Sequence, residues 1–458
     1  MNLDSFKAYD VRGRIPDEMN EELVYRIAQA YAAFVRPKQV AVGRDIRLSS
    51  AQFAEVLTRG LMESGVDVLD IGLCGTEGVY FATAFERLDG GIMVTASHNP
   101  PDYNGLKFVR EGSRPISADT GLKDMRALIE HGRLHVRGAL APGYTKPGAR
   151  RTLDTRAKYD QHLLSYVDRA KLRKLKVVVN AGNGGAGLVI DRLEPHLPFE
   201  FVKLHHQPDG SFPNGVPNPM LEENRAVTIE AIRRTGADLG LAWDGDYDRC
   251  FFFDERGDFV EGYYLVGLLA EVFLRRFPGA RIVHDPRLTW NTIDIVTKLG
   301  GEPVLCKSGH AFIKQKMREV DGVYGGEMSA HHYFRDFAYC DSGMIPWLVV
   351  LQVVSESGKT LSQLVGERMK LFPCSGEINR YLSTDAKSVL AKAQRHYEKS
   401  AKLVDFTDGL SMEFDTWRFN LRGSNTEPLV RLNVESRGDE GLMREKVAEV
   451  LARIETSG

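Results

Sequence analysis

The sequence predicts an α/β protein: three similar α/β domains with mixed, largely parallel sheets, then a C-terminal α+β domain, set around a central cleft. Three observations carry that expectation. Apolar strand-like runs alternate with helix-like stretches from the N-terminus onward, the pattern of α/β units. Three well-separated segments repeat one motif of acidic or Gly residues, a short apolar strand and a polar loop: LDGGIMVTASHNP, GADLGLAWDGDYDR and EVDGVYGGEMSAHHYF. The chain is 458 residues long, and roughly 150 residues per domain gives about three domains or more.

In chain order, KQVAVGRD reads as a strand, SSAQFAEVLTRGLMESG as a helix, VDVLDIG as a strand and GIMVTASH as a strand with its loop. A second series opens at LKVVVNAGNGG and includes ADLGLAWDGD; a third includes RIVHDPR, EPVLCKSG and DGVYGGEMSA. The Pro/Gly/Arg-rich stretch GALAPGYTKPGARR (138–151) reads as a first linker and FPCSGEINR (372–380) as a second. The tail has strands at WRFNLRG and LVRLNVES and an amphipathic helix at DEGLMREKVAEVLARI. These boundaries give domains 1–148, 149–253, 254–371 and 372–458. In open α/β sheets ligands sit beyond the C-terminal ends of the strands, where the three repeated loops fall, so the loops are expected to meet in one cleft.

Composition narrows the function. Lys and Arg total 60 against 62 Asp and Glu, a net charge of −2, which lacks the basic excess a nucleic-acid backbone requires. No basic-then-apolar leader opens the chain, and the longest apolar runs, YYLVGLLA and WLVVLQVV, fall far short of the roughly 20 residues of a membrane span. A cytoplasmic protein without nucleic-acid or membrane partners is expected. Five cysteines, widely spaced and without a CxxC pair, suggest neither a zinc site nor a disulfide framework.

The chemistry lies in the loops. Ser97, leaving the strand Gly91–Val94, sits where a nucleophile or phosphate carrier would be exposed, although Ser, Asn and Pro are also ordinary turn residues. Asp244, Asp246 and Asp248 leave their strand at alternate positions and point to one side; three hard oxygen donors at that spacing suit Mg²⁺, and an Asx-rich turn is the alternative. Glu327 and Ser329 lie two apart, a reach suited to neighbouring sugar hydroxyls. His331 and His332 face opposite ways on a strand, which disfavours joint metal ligation and leaves one as a candidate proton shuttle. Arg422, Ser424, Asn425 and Thr426 around Gly423 suit a phosphate clamp or a plain interstrand loop. Gly182, Gly184 and Gly187 have the spacing of a dinucleotide fingerprint, but Glu200 begins the run EFVKL instead of ending a strand, which argues against nucleotide binding.

The decapeptide GIMVTASHNP (91–100), the three loops in this order, AYDVRG (8–13), VGRDIRLSS (42–50) and RGSNTEP near the C-terminus together resemble the α-D-phosphohexomutase family, in particular its bacterial phosphomannomutase/phosphoglucomutase branch. The resemblance spans nearly the whole chain. It implies four domains around one cleft and a phosphomannomutase that interconverts mannose 6-phosphate and mannose 1-phosphate through a phosphoserine and a hexose 1,6-bisphosphate, acting on glucose phosphates as well. It implies Ser97 as phosphoryl carrier, with its phosphate and Asp244, Asp246 and Asp248 holding Mg²⁺. It places Lys107, Arg12 and Arg249 at the phosphoryl site and His331 in proton transfer. Glu327 and Ser329 match ligands of the sugar hydroxyls, and His310 matches a further active-site histidine. Arg422, Ser424, Asn425 and Thr426 match the clamp on the nonreacting phosphate. Two departures stand out: the serine loop reads TAS where many relatives have TGS, and Arg287, grouped with the substrate-binding residues, replaces a lysine common in close relatives. The partner implied is a phosphosugar, the product would usually feed GDP-mannose for surface polysaccharide, and a monomer is compatible with the sequence. A mainly phosphoglucomutase activity, a Mg²⁺-assisted sugar phosphatase and a noncatalytic phosphosugar-binding protein are the alternatives.

Overall fold

The structure, a computed structural model, describes residues 2–424 and 429–455. The chain divides into two compact units, one built from residues 1–259 and 331–358, the other from residues 260–330 and 359–458.

The first unit begins with a sheet of β1 (Val11–Arg14), β2 (Gln39–Arg44), β3 (Asp67–Leu73), β4 (Gly90–Val94), β5 (Tyr103–Arg110), β6 (Arg114–Pro115) and β7 (Arg150–Thr152), in the order β1-β5-β4-β2-β3-β7 with β6 beside β5. β4, β2, β3 and β7 run parallel to their neighbours along that path, and β5 turns back antiparallel against β4. The central strands are apolar and buried along their length, as strands covered on both faces must be. Helix Glu21–Val35 starts where Asn20 accepts a hydrogen bond from the Leu23 amide at 3.0 Å, with Glu21 and Glu22 in its first turn complementing the helix dipole. Its Leu23, Val24 and Ile27 join Phe53, Leu57 and Leu61 of helix Ser50–Glu63 and Ile92, Val94, Leu106 and Phe108 of the sheet in one core.

A second sheet in this unit holds β8 (Lys176–Asn180), β9 (Glu200–Leu204), β10 (Leu239–Trp243), β11 (Cys250–Phe253) and β12 (Phe259–Val260), in the order β12-β11-β10-β8-β9. β8 is parallel to β9 and β10, and β11 returns antiparallel to β10. The expected repeat is therefore topological as well as sequential: the serine loop and the acidic loop each connect a parallel third strand to an antiparallel fourth. The glycines in dinucleotide-like spacing serve packing here. A Cβ on Gly187 would stand 2.2 Å from the His206 carbonyl oxygen, so helix Ala186–Leu193 approaches the chain after β9 only because that residue is glycine.

In the second unit β13 (Arg281–His284), β14 (Glu302–Leu305) and β15 (Tyr324–Gly326) run parallel in the order β14-β13-β15. The chain then enters the first unit as the antiparallel pair β16 (His332–Phe334) and β17 (Cys340–Asp341). The second unit ends in an antiparallel sheet of β18 (Ile378–Tyr381), β19 (Leu403–Asp405), β20 (Leu410–Glu413), β21 (Trp417–Gly423) and β22 (Leu429–Ser436), ordered β18-β22-β21-β20-β19. Phe419, Leu421, Leu432 and Val434 pack there against Val389 and Val450 of helices Ala386–Tyr397 and Glu440–Glu455.

Both expected linkers are more structured than their composition suggests. Arg150 and Thr152 pair with β3, the Gly148 amide bonds the Met62 carbonyl and the Tyr144 hydroxyl bonds the Pro37 carbonyl at 2.7 Å, so residues 138–151 lie along the first domain. Within 372–380, Cys374 bridges to Glu435 and Ile378 begins an edge strand. Pro and Gly mark turns, and turns can be packed as firmly as strands. No described helix is long and apolar enough to cross a membrane.

Candidate active site

Ser97 follows β4 with φ 51°, in the left-handed region that a non-glycine residue adopts only when its surroundings hold it there. Its amide donates to Thr95 Oγ1 at 2.8 Å, and its buried hydroxyl lies 3.1 Å from Asp244 Oδ2 and 3.0 Å from His98 Nδ1. The serine and acidic loops touch closely. A Cβ on Gly245 would stand 2.6 Å from the Ser97 carbonyl oxygen, so a glycine between the first two aspartates is what lets a carboxylate reach the serine.

Asp244, Asp246 and Asp248 are all buried, and each offers a carboxylate oxygen within 4.8 Å of the others. They lie in the turn after β10, which the Tyr247 amide closes on the Asp244 carbonyl at 3.1 Å, so a turn and not strand alternation brings them together. Arg249 grips Asp244 Oδ2 through Nε at 2.8 Å and Nη2 at 2.7 Å, while Lys107 Nζ donates to Asp246 Oδ2 at 2.6 Å and Asp248 Oδ2 at 2.7 Å. Thr76, opening helix Thr76–Phe85, also donates its hydroxyl to Asp246. The other oxygens, Asp246 Oδ1 and Asp248 Oδ1, are buried without a hydrogen-bond partner among the described residues.

These surroundings pull the carboxyls apart in acidity. Burial and the Asp246 charge push Asp248 up to about 8, and burial raises Asp244. For Asp246 the same burial is outweighed by Lys107, which holds it well below the carboxylate range. Glu77, buried under the Tyr159 hydroxyl at 2.6 Å, is pushed up by burial to about 8. A carboxyl that titrates near 4 in the unfolded chain and near 8 in the folded one keeps its proton only on folding, so its contribution to stability is full below pH 4 and is lost as pH rises toward 8. With divalent cations chelated, Asp248→Asn should therefore gain stability relative to wild type as pH goes from 5 to 8.5. Urea midpoints of the two proteins that keep a constant offset across that range would contradict this electrostatic picture.

Arg12 on β1 donates Nε to Asp10 at 2.7 Å and Nη1 to Asn99 Oδ1 at 2.9 Å, which ties it to the serine loop. His331 Nε2 stands 3.7 Å from Asp248 Oδ1, and Asp341 brings a carboxylate into the same group. The two histidines do not share a strand, because β16 begins at His332: His331 is half-buried, whereas His332 is buried and pushed down by burial to about 3. Sequence reasoning named neither His98 nor Thr76 as a site residue. His98 Nδ1 lies 2.7 Å from Arg249 Nη2, and burial first, then the Arg249 charge, hold this histidine neutral far below its usual range. Its position beside Ser97 was its available signal.

The remaining predicted residues belong to the second unit. Arg287, fully enclosed, pairs with Asp285 at 2.6 Å and reaches Ser329 Oγ at 3.1 Å and Glu327 Oε1 at 3.4 Å. Glu327 Oε1 also accepts the Gly309 amide at 2.8 Å, next to His310, whose Nδ1 is 3.4 Å from Lys314 Nζ. Arg287 thus organises the two residues expected to read a sugar. Arg422 donates to Glu377 Oε2 at 2.7 Å, and Arg287 Nη1 is 3.6 Å from that same atom. Burial opposes ionisation of Glu377, but Arg422, Arg287 and Arg431 keep it acidic. The Ser424 amide donates to the Leu429 carbonyl at 2.9 Å; Asn425 and Thr426 lie outside the described residues. Glu377 was missed because an acid that serves an arginine 45 positions away leaves no local pattern, whereas Asp285, two residues before Arg287, had that spacing as its available signal.

Comparison with known proteins adds four matches in chain order, all described as phosphoglucomutase/phosphomannomutase: alpha/beta/alpha domain I at residues 3–133, domain II at 157–257, domain III at 261–372 and the C-terminal domain at 377–452. Over 450 residues the chain is 58% identical to a protein of Xanthomonas campestris pv. campestris (strain B100) described as phosphohexose mutases, covering 98% of this chain and 99% of that one. It is 55% identical over 456 residues to a phosphomannomutase of Escherichia coli, covering 98% and 99%. A crystal structure of a phosphoglucomutase/phosphomannomutase family protein from Burkholderia thailandensis superposes with a TM-score of 0.89 at 31% identity, covering 100% of this chain and 98% of that one.

Proposed function

The chain belongs to the phosphoglucomutase/phosphomannomutase family and is a phosphohexomutase, and from that premise we propose that it interconverts mannose 6-phosphate and mannose 1-phosphate through a phosphoserine at Ser97, passing through hexose 1,6-bisphosphate, and that it turns over glucose phosphates too. The observation that supports this reading best is the buried Ser97 hydroxyl 3.1 Å from the first of three clustered carboxylates, with Arg249 and Lys107 beside them.

In the proposed reaction the Ser97 phosphate gives its phosphoryl group to the free hydroxyl of a hexose monophosphate. The bond from phosphorus to Ser97 oxygen breaks as the bond to sugar oxygen forms, and the hydroxyl proton leaves to a base, a role we assign to His331. The bisphosphate then presents its other phosphate and Ser97 is rephosphorylated, with no net consumption of a phosphate donor. Arg12, Lys107 and Arg249 offer fixed positive charge to the transferred group. His98, held neutral, turns its Nδ1 lone pair toward Arg249 Nη2 at 2.7 Å and so adds no charge beside the serine oxygen. Glu327 and Ser329 are assigned to the sugar hydroxyls, and Arg422, Ser424, Asn425 and Thr426 to the nonreacting phosphate.

The donor set fits a hard divalent cation, since it is all carboxylate oxygen and two of its buried oxygens accept no hydrogen bond from the described residues. When bound, Mg²⁺ would neutralise charge on the transferred phosphoryl group, held by Asp244, Asp246, Asp248 and the Ser97 phosphate.

The test is mannose 1-phosphate conversion with Mg²⁺ and a trace of hexose 1,6-bisphosphate; steady release of inorganic phosphate in place of mannose 6-phosphate would mark a phosphatase. The same assay probes specificity. Glucose and mannose differ only at C2, whereas Glu327 and Ser329 are matched to the C3 and C4 hydroxyls. A site that hydrogen-bonds the varying hydroxyl can discriminate by about 10⁴ or more, and one that tolerates it discriminates far less. Both 1-phosphates should turn over, mannose preferred; a kcat/KM ratio beyond about 10⁴ would reveal a reader of C2 outside this set.

A further inference from the structure

Arg47 sits in the segment VGRDIRLSS, takes no part in the chemistry described above and is buried. Its guanidinium makes four hydrogen bonds, all to backbone carbonyls of one short segment: Nη1 to Pro100 at 2.7 Å and Tyr103 at 2.9 Å, Nη2 to Ser97 at 2.9 Å and Asn99 at 2.5 Å. That segment is the connection from β4 to β5 that carries Ser97.

We infer that Arg47 is a positioning residue for phosphoryl transfer, fixing the left-handed backbone from which Ser97 aims its hydroxyl at Asp244. This inference rests on the reading of Ser97 as the phosphoryl carrier. Both ends of the Ser97 backbone are held, the amide by Thr95 Oγ1 and the carbonyl by Arg47, which leaves the φ of 51° no freedom to relax. Four carbonyl dipoles converging on one buried point repel one another, and a planar guanidinium spends all four of its terminal N–H groups to satisfy them. A lysine, with one nitrogen and three donors, cannot reproduce that fork.

Arg47 is itself fixed from behind. Its Nε faces Asp45 Oδ2 at 3.5 Å, its guanidinium carbon lies 5.3 Å from the Phe212 ring centroid, and Asp45 Oδ1 accepts from the Arg47 amide at 3.0 Å and from Ser50 Oγ at 2.5 Å. The Asp45 amide bonds the Val94 carbonyl at 3.0 Å, at the end of the strand that leads into the loop. A continuous set of buried polar contacts therefore runs from the end of β2 to the serine, whereas Arg12, Lys107 and Arg249 reach the site from other elements.

The experiment uses the full chain with Arg47→Lys, Arg47→Met and Asp45→Asn, each checked for wild-type-like thermal unfolding. Steady-state kinetics are run with mannose 1-phosphate, and Ser97 phosphorylation after incubation with glucose 1,6-bisphosphate is measured by mass spectrometry. A displacement of about 1 Å at a reacting group can cost on the order of 10²-fold in rate. Arg47→Met should lower kcat per phosphorylated enzyme by about 10²-fold and Arg47→Lys by about tenfold, with KM within threefold of wild type. If Arg47→Met does not fold, Arg47→Lys and Asp45→Asn, which loosen the clasp without removing a charged group from the loop, should each lower kcat at unchanged KM. A role confined to stability would lower the unfolding temperature and leave kcat per phosphorylated enzyme unchanged; that result, or a rise in KM at constant kcat, overturns the inference. Wild-type protein with no phosphate on Ser97 would instead overturn the phosphoserine reading on which it rests.

Discussion

Replacing Ser97 with alanine is expected to abolish stable phosphorylation of the protein and to lower turnover by at least about 10⁴-fold, because a covalent relay has no alternative route through water or a neighbouring side chain. The site makes that expectation specific. His98 is next to Ser97 and near its oxygen, yet burial and Arg249 hold it neutral and engaged, so it is poorly placed to substitute as carrier. Asp244 keeps its two contacts to Arg249 when the serine oxygen is gone, so the acidic cluster should survive the change. Alanine at φ 51° carries a backbone cost of about 1–2 kcal/mol that glycine avoids. Wild-type serine bears the same cost, so Ser97→Ala adds none, and Ser97→Gly should unfold no earlier than Ser97→Ala while losing activity just as completely. Mass spectrometry of wild-type protein treated with bisphosphate settles the matter, since phosphate on any other residue would sink the assignment.

Asp246→Asn is expected to raise the Mg²⁺ concentration for half-maximal rate and to lower kcat together, by about 10²-fold or more at limiting Mg²⁺. The amide keeps the shape of the side chain but removes one of three anionic donors, and it weakens the contact at 2.6 Å that fixes Lys107. Thr76 can still donate to the remaining carbonyl oxygen, so the loop should hold its backbone. Saturating Mg²⁺ should recover only part of the loss, because Lys107 will have lost its strongest partner. Wild-type turnover that persists in excess chelator would remove the metal from the mechanism.

What could be read in advance followed locality. Ser97, the three aspartates and Glu327 with Ser329 each occupy one loop after one strand, and the close spacing of Asp244, Asp246 and Asp248 pointed to carboxylates that converge, although a turn and not a strand period gathers them. The alternation of strand and helix that builds the parallel sheets was legible for the same reason, whereas the order of strands within each sheet was not read. Partners drawn from elsewhere in the chain were not. Thr76 reaches Asp246 across 170 positions, Lys107 reaches Asp248 across 141, and Arg287 reaches Glu327 across 40. A threonine opening a helix reads as a cap, and Glu377 reads as surface charge, until the fold brings Arg422 beside it. The lysine position shared with close relatives pointed to Arg287, but the enclosure of its guanidinium among carboxylates could be seen only in three dimensions.

Lys107 illustrates how little room the fold leaves for changes in chain length. The β4–β5 ladder pairs Met93 with Lys107 and Val94 with Leu106, and successive residues of a strand face opposite ways. Leu106 and Phe108 enter the core while the lysine between them meets the acids. One residue inserted into β5, or one deleted from it, would drive the ammonium into the apolar core and present a leucine or phenylalanine to Asp246 and Asp248. Variation in the segment from Gly90 to Arg110 is thus confined to exchanges of one side chain for another. Additions are expected instead in exposed turns such as that around Val136 and Gly138, where nothing catalytic depends on the count of residues.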